Sequence, residues 1–167
     1  MIENIVLLAT YSFVAVFSAV LTLWLISLAI RDSSIIDMFW GPGLALVAWV
    51  GYFFGEGTAE RKLLVSVLVS VWAARLAVYI IWRNWGGEDR RYARLRAHVE
   101  EQGKSFVWHS LTHIYLYQGI TMWLVSFIIQ FAQSYDSPAS LGLLAYIGAG
   151  LSIFGMVYET IADQQLA

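Results

Sequence analysis

Three sets of side chains in this sequence can do chemistry inside an otherwise apolar chain. The first is a guanidinium, Arg75, within the apolar run 63–82. It lies eight residues before Arg83, so about 12 Å deeper in a membrane at ~1.5 Å per residue. Arginine can snorkel over part of that distance. Left unpaired at depth it costs at least about 2.5–3.5 kcal/mol, so a carboxylate partner is expected. The second set offers that partner: Asp37 near the start of the apolar run 35–54, and Glu159 and Asp163 at the end of the run 141–162. Trp72, Tyr79 and Trp82 recur at helical spacing around Arg75 and share its face. A structural salt bridge between helices is one reading, and a polar cavity open to the cytoplasm is the other. The number of groups on one side favours the cavity. The third set is His109 and His113, four residues apart. That spacing can present two metal ligands, but two histidines make an incomplete site, so no metal is expected.

These groups must be positioned by helices in a membrane. The chain has 167 residues, of which 59% are hydrophobic and 13% charged. Soluble domains average about 45–50% apolar and about 25% charged. Apolar runs at 5–30, 35–54, 63–82, 106–130 and 141–162 are each near the length that spans a bilayer. The expected fold is all-α: a polytopic transmembrane helix bundle of about five spanning helices, one domain over 1–167, plus one cytoplasmic surface helix. The net charge of −2 gives a nucleic-acid partner no electrostatic support. The absence of Cys excludes disulfides, zinc–thiolate sites and cysteine nucleophiles. The start, Met1-Ile2-Glu3-Asn4, lacks the basic residues of a signal peptide, so the first run is read as a retained span.

Within the second run, Gly41-Pro42-Gly43 frees backbone groups, which predicts a kink or, alternatively, a ligand approaching the bared backbone. In the last run, Gly148 and Gly155 are seven apart and share a face suited to close helix contact. Between the third and fourth runs, residues 84–104 form a charged, amphipathic segment that turns at Gly86-Gly87. Tyr92, Leu95 and Val99 form its apolar face, directed at lipid or bundle. Arg91, Arg94 and Arg96 are directed at water, headgroups or a phosphate-bearing ligand.

Basic residues set the orientation. With Arg75 set aside, seven Lys and Arg residues (Arg31, Arg83, Arg90, Arg91, Arg94, Arg96, Lys104) fall on one side and two, Arg61 and Lys62, on the other. The majority side is expected to be cytoplasmic, with the N-terminus outside and the C-terminus inside. In a bacterium the membrane would be the plasma membrane. Asp37, Arg75, His109, His113, Glu159 and Asp163 then all fall in the cytoplasmic leaflet.

The same residues carry a family resemblance. Ile36-Asp37-Met38-Phe39-Trp40-Gly41-Pro42-Gly43 is one matching stretch. Arg75-Leu76 through Arg83-Asn84 and Gly86-Gly87-Glu88-Asp89-Arg90-Arg91-Tyr92 is a second, and Glu159 through Asp163-Gln164 a third. Together they resemble an uncharacterised family of multi-pass membrane proteins grouped with the steroid 5-alpha-reductases. The resemblance implies a seven-helix, NADPH-dependent reductase of an activated carbon–carbon double bond in a lipid or steroid-like enone. It assigns cofactor contacts to Arg75, Asn84 and Asp163, and polarisation of the substrate carbonyl to Asp37. Two departures accompany it. Trp72 stands where those reductases carry a catalytic tyrosine. The family also continues for two more helices and a basic, His-Pro-containing segment beyond this chain. The chain is therefore expected to hold about two-thirds of such a protein, as a fragment or truncated product, with an incomplete cofactor site.

Two other functions fit the same residues. One is a non-catalytic membrane protein whose polar cluster is structural, present as a homo-oligomer or with a partner supplying further helices. The other is an isoprenylcysteine-methyltransferase-like enzyme that binds S-adenosylmethionine. Membrane lipid is the expected surrounding in every case.

Overall fold

A computed structural model describes residues 2–84 and 87–166. Trp85 and Gly86, half of the expected turn, lie outside the described residues. All regular structure among the described residues is helical. In order the elements are α1 (Ile2–Ile30), α2 (Ile35–Met38), α3 (Trp40–Phe54), α4 (Ala59–Arg83), α5 (Arg90–Glu101) and α6 (Phe106–His109). A π-helical stretch, Ser110–Leu116, leads on to α7 (Tyr117–Val125), α8 (Phe127–Ser134) and α9 (Leu143–Leu166).

Four helical stretches are long and apolar enough to cross a membrane: Glu3–Ile30, Ala59–Arg83, Phe106–Ser134 and Leu143–Gln165. The chain is an integral membrane protein. The second expected span differs. It is divided at Phe39 into α2 and α3, and α3 has 15 residues, about 22 Å at ~1.5 Å per residue against about 30 Å of hydrocarbon. The break comes before Gly-Pro-Gly rather than in it. Pro42 has no N–H for the carbonyl four residues back, that of Met38, and α2 ends at Met38. The helix restarts so that Pro42 falls in the first turn of α3, and the Gly43 N–H donates to the Phe39 carbonyl at 2.7 Å.

α3 is the centre of the bundle, packed by α1, α4, α7 and α8. Its glycines permit this. A Cβ on Gly41 would lie 2.6 Å from the Ala73 carbonyl oxygen, and one on Gly51 would lie 1.8 Å from Gln133 Oε1. The apolar core includes Val16, Val20, Ile36, Leu44, Val47, Ile114, Tyr115 and Met122. Lipid offers little hydrophobic force between helices, so polar contacts matter. The Trp24 indole donates to Ser110 Oγ at 3.2 Å, Trp49 to Ser70 Oγ at 3.0 Å, and Trp123 to the Ala9 carbonyl at 2.9 Å. Gln133, fully buried, donates to the Ala48 carbonyl and to Ser66 Oγ. Large exposed side chains such as Leu144 and Ile128 cover the outside, as a lipid-facing surface requires.

One face settles between the two destinations the sequence left open, and another departs from expectation. The apolar face of α5 meets the bundle: Val99 is buried in the core, and Tyr92 and Leu95 pack against it. The glycine face of α9 meets nothing, since a Cβ on Gly148 or Gly155 would have no neighbour within 4 Å among the described residues. None of the described side chains of α9 is buried; the helix is held to α4 chiefly by polar groups.

Candidate functional site

Those polar groups form the first of two clusters. Glu159, Thr160 and Asp163 lie within one turn of α9, and Trp72 and Arg75 within one turn of α4, so each set shares a face. Arg75 pairs with Asp163 and, at 3.4 Å, with Glu159. Its Nε donates to Thr160 Oγ1 at 3.3 Å, and the Trp72 indole donates to Glu159 Oε2 at 3.0 Å. Arg75 is 17% exposed and Asp163 26%, against 49% for Glu159, so Asp163 is the more enclosed partner. Beside the pair lies a cavity of about 510 Å³ lined by Arg75, Tyr79, Trp82, Thr160, Asp163 and Gln164. One cation, Arg75, and one carboxylate, Asp163, line it; Glu159 is not part of the lining. Arg83 does not line it, but its guanidinium lies 5.9 Å from the ring centroid of Tyr79, which does. It makes no ion pair among the described residues.

The second cluster docks α5. Asp89 caps its N-terminus and accepts from the Arg91 N–H at 2.8 Å. The Arg91 side chain, bonded to Asp89, holds that carboxyl below the usual carboxylate range; Asp89 in return raises Arg91. Across the interface, the Tyr92 hydroxyl donates to Asp37 Oδ1 at 2.7 Å, and Arg91 donates to Asp37 Oδ2 at 3.1 Å. The Tyr92 hydroxyl accepts from Gln118 at 3.1 Å, and Gln118 accepts from the Trp40 indole at 2.7 Å. Burial first, and then its bond to Asp37, push the Tyr92 hydroxyl well above the ordinary tyrosine range. Glu88 accepts from the Ser33 N–H and from Arg96, both at 2.8 Å. The Arg96 guanidinium lies 4.1 Å over the Phe106 ring.

Arg75 and Asp163 therefore meet, as do Arg75 and Glu159. Asp37 does not join them: it is engaged by Arg91 and Tyr92, which removes it as the partner of Arg75. Asn84 caps the C-terminus of α4, nine residues past Arg75, or about half a turn away at 3.6 residues per turn. It does not line the cavity. Its Nδ2 is buried with no hydrogen-bond partner among the described residues. The rings of His109 and His113 stack 4.5 Å apart and 7° from parallel. That arrangement sets their in-plane lone pairs side by side instead of aiming them at one ion. The sequence reading missed Thr160, and also the buried Gln130 and Gln133; the signal available was an amide or hydroxyl inside an apolar run.

Fold and site together define a helical integral membrane protein with a polar seam between two parallel spans. The chain belongs to the family described as "Protein of unknown function (DUF1295)", matched over residues 23–167. It is similar to an uncharacterized protein of Schizosaccharomyces pombe, 28% identical over 154 residues that cover 86% of this chain and 43% of that relative. The chain thus spans less than half the length of the curated relative it matches. No solved structure matches it.

Proposed function

We propose that this protein is part of a membrane reductase acting on an activated double bond of a lipid or steroid-like enone, with NADPH as the cofactor. What supports the reading is that Arg75 and Asp163, 88 residues apart and assigned to one site by resemblance, wall the same cavity. The residues there suit the uncharged end of a nicotinamide nucleotide. Arg75 and Gln164 can donate to a carboxamide oxygen, and Asp163 can accept from a ribose hydroxyl. Arg75 is already paired with two carboxylates and has little charge left for a diphosphate, which would fall to Arg83 beside Tyr79. NADPH supplies a hydride when bound. On this reading Arg75 orients Asp163, and Trp82 and Tyr79 exclude water. Asp37 fixes α5 over the polar end of the bundle through Tyr92 and Arg91.

One observation favours a non-catalytic reading. Arg75 already has two carboxylates and a hydroxyl, which make a self-sufficient tie between α4 and α9. Titration of the purified protein separates the two. The reductase reading expects saturable quenching of tryptophan emission by NADPH, weakened at least tenfold in Arg75→Gln. No binding at millimolar NADPH would remove it, and saturation by S-adenosylmethionine instead would transfer the cavity to methyltransferase-like chemistry.

A further inference from the structure

A second cation lies at the opposite end of α4 from Arg83. Arg61 is in the first turn of that helix, where the helix dipole gives a positive charge no help. Its guanidinium is held by carbonyls alone, donating to Tyr135 O at 2.9 Å and Pro138 O at 2.7 Å. Neither Arg61 nor its neighbour Lys62 makes an ion pair among the described residues. A guanidinium has about five N–H donors, so Arg61 keeps several to spare. Beside it opens a cavity of about 570 Å³ walled by Leu64, Val65 and Leu68 of α4, Ala132 of α8, and Leu144 and Gly148 of α9. Apart from Arg61 and Ser140 its lining is apolar. A cation without an ion pair among the described residues, beside an apolar cavity in a bilayer, matches one kind of molecule in both parts.

We propose that this is a binding site for a glycerophospholipid with a net-negative head. The phosphate sits on Arg61, in the paired geometry that guanidinium and phosphate favour, and one acyl chain lies between α4 and α9. A zwitterionic lipid could supply the chain, but its own cation would offset the charge Arg61 selects. A free phosphate could meet the cation but leaves the cavity unfilled. The site is independent of the reductase reading: Arg61 and Arg75 are fourteen residues apart on α4, about 21 Å at ~1.5 Å per residue.

The test is native mass spectrometry of the purified chain from micelles containing equal phosphatidylglycerol and phosphatidylcholine of matched chains. The wild type should retain phosphatidylglycerol about fivefold over phosphatidylcholine, the preference one surface arginine confers. Arg61→Gln should equalise the two lipids, and Arg61→Lys should keep most of the preference. Gly148→Phe, at a position with open space around its Cβ, should lower retention of both by filling the cavity. Equal retention by the wild type, or a preference that survives Arg61→Gln, overturns the site. So does displacement of the lipid by millimolar glycerophosphate, which would reduce it to an anion site. If Arg61→Gln is not recovered folded, Gly148→Phe decides, because unchanged retention there also overturns the proposal.

Discussion

At the scale of the residue, the guanidinium of Arg75 is worth most through what it keeps from being stranded. Arg75→Leu leaves Asp163, 26% exposed, without its cation, and should cost about 3 kcal/mol, the lower end for a broken buried pair. Adding Asp163→Leu removes the stranded charge and should restore part of that loss. Adding Glu159→Leu should restore less, because Glu159 is 49% exposed and water already serves it. Adding Asp37→Leu should only make matters worse, since Asp37 answers to Arg91 and Tyr92. Denaturant melts of the single and double variants in one detergent check this; recovery with Asp37→Leu would refute the pairing. The depth of Arg75 made a carboxylate partner legible in the sequence. Which carboxylate was not legible, because the contact that claims Asp37 comes from Tyr92, 55 residues away, on a helix whose docking face had two possible destinations.

Among the elements, hydropathy made the all-helical bundle and its long spans readable, but glycine spacing was a poor guide to contacts. Gly148 and Gly155 form the regular small-residue face, yet that face is open. Gly41, beside a proline and read as part of a kink, sits where α3 and α4 touch backbone to backbone. Spacing says which residues share a face and nothing about what lies across from it. The two positions should therefore respond in opposite directions to the same change. Gly41→Ala drives a Cβ to 2.6 Å from the Ala73 carbonyl, which cannot move without its helix, and should cost about 1–3 kcal/mol as an overpacked contact does. Gly148→Ala meets nothing and should gain up to about 1 kcal/mol of helix propensity. Thermal melts of the two variants under identical conditions decide the matter, and a similar loss at both would mean that the open face of α9 is covered.

For the whole molecule, the side of the membrane on which α5 lies decides which solutes reach the Arg75 cavity. Connectivity places the two polar clusters toward one end, because α4 carries Arg75 in its second half and leads through Arg83 into α5. By the rule that basic residues stay inside, the seven-to-two division predicts that this end is cytoplasmic. Arg90, Arg91, Arg94 and Arg96 carry most of that weight, lying close to the end of α4. The connections at the other end, 55–58 and 135–142, are short and carry one acidic residue each, Glu56 and Asp136, so no folded domain competes with the charge rule. A chain without cysteine allows the orientation to be read directly. Ala97 and Ser137 are both exposed, on α5 and on the α8–α9 connection, so a cysteine at either should not disturb packing. In intact cells a membrane-impermeant thiol reagent should label Ser137→Cys and spare Ala97→Cys, and permeabilised cells should label both. The opposite pattern would put the Arg75 cavity on the outer face, away from the cellular pool of NADPH, and the reductase reading would fall while the ion pairs and the lipid site at Arg61 stood unchanged.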